Sequence, residues 1–161
     1  MKNLKITSEA VAKAYRNASA DGKSLLREMF GSQVSLSDDV RDTVRSFNDA
    51  CTLLGISTNL PEVSSLPELH RKAIRANYKL IIIAEALNEG WRPDWNNTNE
   101  FKYFPWFTVS TAGLGYSSTS TTTTHANANI GSRLCFKNRE LAIYFGQQFI
   151  DLWEDVLLIE K

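Results

Sequence analysis

Histidine and cysteine, the side chains best suited to bind a metal or to act in nucleophilic catalysis, are few in this sequence and are scattered along the chain. The two histidines, His70 and His125, lie in unrelated segments, and the two cysteines, Cys51 and Cys135, have no CxxC spacing. A zinc site needs ligands at characteristic short spacings, and no glycine-rich nucleotide motif is present. The sequence therefore predicts no metal and no cofactor. Both thiols lie among apolar neighbours, so we expect them to be buried and free.

The strongest catalytic pattern is a run of hydroxyl residues, Ser117–Thr124, followed by His125. A nucleophile needs a base held in fixed geometry by a third group, yet there is no G-x-S-x-G turn and no acidic residue within this segment. We interpret the run as a solvated surface and predict a non-enzymatic protein. An enzyme that uses His125 as a base stays as a third hypothesis.

Aromatic residues crowd the segment from Trp91 to Lys137, and from Phe101 onward its only charged residues are Lys102, Arg133 and Lys137. In one interpretation the rings cover an end of the core, because aromatic side chains bury large areas. In the other, some of them face outward and contact a partner. Alternation along a strand allows both. The predicted partner-binding residues are Lys102, Tyr103, Trp106, Tyr116, Thr121, Thr123, His125 and Arg133.

The elements that position these residues are mostly helical. Capping residues and apolar spacing predict helices from Thr7 or Ser8 to Ala18, over Lys23–Phe30, over Val40–Leu54 as one rod or two pieces, over Ser65–Asn88 with a Ser65/Glu68 capping box, and over Asn138–Leu158. Leu80–Ala84 is apolar all round, which predicts a central, buried helix. Gly146 in the last helix predicts a close neighbour.

Between the last two helices the hydrophobic period changes to that of strands. Phe104–Thr111 and Ile130–Phe136 are the predicted strands of an antiparallel hairpin. Part of Ser117–Thr124 either extends this hairpin or forms a mobile loop. The predicted fold is α+β, mainly α: a helical core with a long antiparallel β-hairpin inserted between the central and C-terminal helices. We expect one domain, with residues 1–55 as an N-terminal helical lobe and residues 65–161 as the remainder.

Length and charge narrow the class of protein. A chain of 161 residues fits one domain. Its 18 basic and 18 acidic residues cancel, so overall charge gives no reason for tight non-specific binding to nucleic acid or membranes. Leu80–Ala84, the strongest apolar run, is far below the roughly 20 residues of a membrane-spanning helix. We expect a soluble protein without a membrane partner.

Several motifs together resemble a known family. They are GKSLL at 22–26, SFNDAC at 46–51, YKLIIIAEALNEGW at 78–91, and an ending GSRLCFK at 131–137 followed by Glu140-Leu141. This succession resembles uncharacterised proteins carried by phages and prophages of Bacteroides-type gut bacteria. The likeness implies a viral setting: a virion component, a nucleic-acid accessory protein, or an inhibitor of host defence. It brings no known activity or site residue.

The leading functional hypothesis is a phage protein that binds another protein through a hairpin tip at Gly113–Asn129 and the nearby rings, as a virion part or assembly partner. Its expected location is the host cytoplasm or the virion, and self-association is open. The second hypothesis is single-stranded nucleic-acid binding by Lys102, Tyr103, Trp106, Arg133 and Lys137. Stacking on a ring contributes about 1–3 kcal/mol per base.

Overall fold

Helices dominate the part of the chain described by the computed structural model, residues 6–34, 36–126 and 131–159. The elements are α1 (Ser8–Asn17), α2 (Ala20–Phe30), a 3₁₀ turn (Val40–Asp42), α3 (Phe47–Leu54), α4 (Glu68–Asn88), β1 (Lys102–Ser110), β2 (Gly113–Thr122), α5 (Arg139–Gln148) and α6 (Ile150–Leu157). The predicted fold, α+β and mainly α with a hairpin between the central and C-terminal helices, is confirmed. No helix within the described ranges combines the length and apolar character needed to cross a bilayer.

The second half of the central helix α4 is buried in the core and holds the helix there. Leu80, Ile83 and Leu87 are fully buried, as the all-round apolar run predicts. Its start was predicted wrongly: the helix begins at Glu68, with Pro67 at the cap position and no side-chain cap bond. Ser65 therefore forms no capping box: the Pro67 ring clashes with the backbone of the residue before it and disfavours helical conformation there.

The N-terminal segments are positioned by local caps. The Thr7 hydroxyl caps α1, and the Ser19 hydroxyl caps α2. Helix α2 begins at Ala20, three residues before the predicted start at Lys23. The Val40–Leu54 region is two pieces rather than one rod. The Ser46 hydroxyl accepts from the Asp49 N–H at the start of α3, and Gly55 ends that helix at a φ of 68°. Buried residues of both pieces belong to the same cluster as α4 and α5: Val40, Val44, Ala50 and Cys51.

The C-terminal helix begins where predicted but is interrupted. The Asn138 side chain accepts from the Leu141 N–H at 2.9 Å and so caps α5. At Phe149 the backbone leaves the helical region (φ −113°, ψ 31°), and α6 follows. The predicted single helix to Leu158 is therefore two. The rings of Phe145, Phe149 and Trp153 meet across this break and close the core.

The hairpin pairs strands that the sequence did not pair. β1 runs antiparallel to β2 from Lys102↔Thr122 to Ser110↔Gly113, with an irregularity at Trp106/Phe107. The prediction that Ile130–Phe136 is the second strand was wrong. Phe136 makes a single bridge to Tyr103, with N···O distances of 3.0 and 2.8 Å, and Ile130 lies outside the described residues.

The Ser/Thr run itself forms most of the second strand. Threonine favours extended backbone, and a short local turn closes a hairpin at a smaller entropic cost than a long loop. The hairpin turn is therefore at Thr111 and Ala112, and the prediction of a tip at Gly113–Asn129 was wrong. Residues 127–129 of that predicted tip lie outside the described ranges.

The hairpin lies against α5 because Gly146 has no side chain. A Cβ placed at Gly146 would be 2.7 Å from the Pro105 Cβ and 2.8 Å from the Tyr116 Cδ2. The close neighbour predicted for Gly146 is therefore real, and it consists of hairpin side chains. At the turn, Gly113 adopts a φ of 108° beside the Glu154 carboxylate of α6. Both helices thus fix the orientation of the hairpin.

Candidate contact surface

The inner face of the hairpin belongs to the core. Phe107 packs on Trp153 with 5.0 Å between ring centroids, and it meets the Tyr116 ring edge-on at 6.4 Å. The Tyr116 hydroxyl shares a 2.7 Å hydrogen bond with the Thr119 hydroxyl, and Thr119 is buried. These residues anchor the sheet and are not available to a partner in this conformation.

The opposite face is covered only at its base, where the strands leave the core. Phe104 is buried and packs with Cys135, Trp91 and Trp95. The segment that carries Cys135 is held by Asn88 at the end of α4, whose side-chain amide donates to the Cys135 carbonyl at 2.8 Å. The loop after α4 and the segment before α5 therefore close over the base of the hairpin.

Lys102 is the centre of that closure. Its side chain has no exposed surface, which is rare for a lysine. Its Nζ lies within 3.3 Å of four backbone carbonyl oxygens, those of Asp94, Asn97, Glu100 and Thr123. An ammonium has three donors and is costly to bury without partners, so this carbonyl cage satisfies it.

The Glu100 carboxylate, whose side chain is partly exposed to solvent, also contacts the ammonium and lies 3.2 Å from the Lys102 Nζ. The pKa of Glu100 lies below its ordinary value, chiefly because the Asp94 N–H donates to the carboxylate, with smaller contributions from the Lys102 ammonium. The Trp95 ring covers the ammonium at 5.5 Å. Lys102 thus ties the loop and the end of β2 to β1.

Beyond the base, no segment among the described residues closes over the outer face of the hairpin. Trp106 is 53% exposed and stands opposite Ser118, and Thr108 follows it on the same side of β1 by strand alternation. Ser120 lies beside them on β2, opposite the buried Phe104. We call Trp106, Thr108, Ser118 and Ser120 the outer face. It is an uncharged platform with one large ring at its centre.

The structure divides the eight predicted partner-binding residues into two groups. Three are held by the molecule itself: Lys102 by its cage, Tyr103 by packing against the core, and Tyr116 by α5. Thr123 is half-buried and gives its carbonyl to Lys102. Trp106, Thr121, His125 and Arg133 are exposed.

The outer-face hydroxyls Thr108, Ser118 and Ser120 were missed by the sequence prediction. The signal that could have identified them is alternation from Trp106, combined with the correct pairing of β1 with β2. Because the strand pairing was predicted wrongly, the residues opposite Trp106 were also unknown.

The arrangement around His125 does not resemble an organised triad. Its ring Nδ1 lies 3.1 Å from the Thr124 hydroxyl, and among the described residues no hydrogen bond or ion pair joins the ring to a carboxylate. Burial raises the pKa of the Cys135 thiol to about 11 and also raises the pKa of Cys51, so both thiols stay protonated at neutral pH. Both are free and buried, as predicted.

Metal ligands and free cations are sparse in the same region. Within the described ranges, no group of three or more His, Cys, Asp and Glu side chains is placed to hold a metal ion. Of the cations proposed for nucleic-acid binding, Lys102 is enclosed and Lys137 lies 3.4 Å from Glu89, while Arg133 is exposed. The outer face itself carries no charge.

Glu85 on α4 could have been a buried acid, but it pairs with Arg92 at 2.9 Å. The pair lies at the surface, because the Arg92 and Glu85 side chains are 74% and 39% exposed.

Comparisons of the chain with models of protein families, with curated proteins and with solved structures gave no match.

Proposed function

We propose that this chain is a non-enzymatic protein that binds another protein through the outer face of its hairpin, with Trp106 as the anchor. The observation that supports the proposal is the 53% exposure of the Trp106 ring on a rigidly held sheet. Tryptophan is among the residues enriched at the energetic centres of protein interfaces. A rigid support lowers the entropy lost on binding.

The support comes from both sides of the hairpin. The inner face packs against α5 and α6, and the Lys102 cage fixes the base. Because the backbone that carries the ring is already held in place, it does not have to be ordered during binding. The absence of charge on the outer face favours a partner surface that is apolar with polar hydroxyl or amide contacts.

The viral setting in this proposal comes from the sequence resemblance. We propose a phage protein that acts as a virion component or assembly partner, in the host cytoplasm or the virion. Inhibition of a host defence protein would use the same kind of contact. Single-stranded nucleic acid is a weaker candidate, because its phosphates need cations and Lys102 is enclosed.

Site-specific photo-crosslinking in the producing cells tests the proposal. A photoreactive phenylalanine at position 106 should yield a covalent adduct with one protein, identified by mass spectrometry. Phe101 offers a matched control, because it is an aromatic residue of the same 53% exposure outside the outer face. The same group at position 101 should give no such adduct.

A second measurement tests how much Trp106 contributes to the free energy of binding. Trp106→Ala should weaken capture of the identified partner by about 2 kcal/mol or more, as expected for an interface anchor, while Phe101→Ala leaves it within about 0.5 kcal/mol. Equal adducts at both positions, or unchanged capture by Trp106→Ala, would refute the proposal. Adducts to nucleic acid alone would favour the second hypothesis instead.

A further inference from the structure

A groove runs between α4 and α6, away from the outer face of the hairpin. It consists of two adjoining cavities of about 950 and 440 Å³ that share His70, Ala73 and Val156 as lining residues. The lining of the smaller cavity is mainly apolar, with Leu66, Pro67, Ala73, Ile74 and Val156 beside the polar His70 and Asn77. We call the two cavities together the α4–α6 groove.

Large apolar side chains border this groove and are exposed to solvent. Leu69 and Ile74 on α4 are 58% and 38% exposed, and Ile159 beyond α6 is also exposed. The first half of α4 thus presents apolar residues that its own molecule does not cover. Exposed apolar surface of this kind marks contact sites when it is contiguous and bordered by polar residues.

The larger cavity is acidic. Among the described residues of its lining are Glu68, Glu154 and Asp155, with Lys72 as the only described lysine or arginine. Lys72 lies 2.9 Å from Asp155. Among the described residues, no basic side chain lies within ion-pair distance of Glu68 or Glu154.

We propose that the α4–α6 groove is a second docking site, and that its occupant is a basic amphipathic helix of a partner protein. Two packed helices leave between them a channel into which the ridge of a third helix fits. From Leu69 to Asn77 the groove follows α4 for about 12 Å, at 1.5 Å per residue, which accommodates apolar anchors at i, i+3 or i+4, and i+7. Glu68 and Glu154 at one end, which form no ion pair within the described ranges, favour lysine or arginine beside those anchors.

The charges argue against a second copy of this chain as occupant. The other exposed helical stripe consists of Leu25 and Met29 on α2, which are 56% and 55% exposed. Asp21 and Glu28 stand one turn before and after Leu25 and therefore border that stripe. Docking α2 into the groove would bring acids against acids, which is unfavourable.

Binding of defined peptides tests the proposal with the intact chain. The probes are a fluorescent synthetic helix of leucine and lysine with apolar residues at helical spacing, and the same peptide with glutamate in place of lysine. Fluorescence anisotropy should show saturable binding of the lysine peptide, weakened by added salt, and no binding of the glutamate peptide.

Two double variants locate the site. Leu69→Gln with Ile74→Gln, at exposed helix positions that leave the core intact, should weaken binding of the lysine peptide by about tenfold or more. Glu68→Lys with Glu154→Lys should weaken it roughly three- to tenfold at low salt and allow the glutamate peptide to bind. Circular dichroism confirms that each variant is folded.

The matched control uses the acid-bordered stripe of α2. Asp21→Lys with Glu28→Lys reverses the same number of charges beside an exposed apolar pair, and it should leave peptide binding unchanged. Trp106→Ala should also leave it unchanged, so failure here is distinguishable from failure of the contact proposed for the outer face. Equal binding of both peptides, binding retained by the groove variants, or binding lost in the α2 control would overturn the proposal. Self-association that the groove variants abolish would also overturn it.

Discussion

Replacing the enclosed lysine is the most informative perturbation of this fold. Lys102→Met keeps an unbranched stem of four heavy atoms and removes the terminal ammonium, with its charge and its three donors. In the structure those donors serve carbonyl oxygens of the 94–100 loop and of Thr123, at Nζ···O distances such as 2.9 Å to Glu100 and 3.0 Å to Thr123. The variant leaves these acceptors without their partner.

The expected loss follows from two opposing terms. Leaving a buried acceptor without its partner costs about 1–3 kcal/mol, so three such carbonyl groups would cost roughly 3–9 kcal/mol. Burying the ammonium costs several kcal/mol, which offsets about half of that sum. The Glu100 carboxylate adds little, because its side chain is 27% exposed and solvent screens the pair. We expect Lys102→Met to lower the free energy of unfolding by about 2–4 kcal/mol.

Urea unfolding followed by tryptophan fluorescence measures this loss, because the Trp95 ring lies over the ammonium at 5.5 Å. Lys137→Met is the matched control: that lysine is 33% exposed and lies 3.4 Å from Glu89, so its loss should cost at most about 1 kcal/mol. A decrease below about 1 kcal/mol for Lys102→Met, or equal decreases for both variants, would refute the reasoning that the cage holds the hairpin.

Two further predictions concern the inner face and the N-terminal segments. Gly146→Ala should lower the free energy of unfolding by about 1–3 kcal/mol, because the added Cβ overlaps hairpin atoms at 2.7 Å. This cost exceeds the gain from the better helix propensity of alanine. The control is Gly131→Ala, where nothing lies within 4 Å of the added Cβ, and it should be near neutral in the same urea titration. Asp39→Asn should reduce the pH dependence of the free energy of unfolding. Hydrogen bonds from Arg41 hold the pKa of Asp39 below its ordinary value. The Asp39 carboxylate therefore stabilises the folded state above about pH 4, and this contribution is lost as pH falls through the lower, folded-state pKa. Unfolding curves of the two proteins should therefore converge towards acid pH, and a constant difference from neutral to acid pH would contradict this account.

The sequence alone determined most of the helices, because their signals are local. Ser46 and Asn138 cap helices through hydrogen bonds to residues three positions away, and the apolar run at 80–84 requires burial in any compact arrangement. The free, buried state of Cys51 and Cys135 followed from their apolar neighbours. Gly146 predicted a close neighbour, although not which one.

Only the tertiary structure decided which strand pairs with β1 and which side chains face the solvent. Threonine-rich segments fit either a strand or a solvated loop, and the choice depends on a partner strand that the local sequence does not specify. Lys102 looked like a surface cation because lysine is rarely buried, and four carbonyl groups from separate parts of the chain reverse that expectation. The exposure of the Trp106 ring also depends on tertiary contacts. The segments that carry Trp91, Trp95 and Cys135 pack on Phe104 at the base of the sheet and do not bury Trp106.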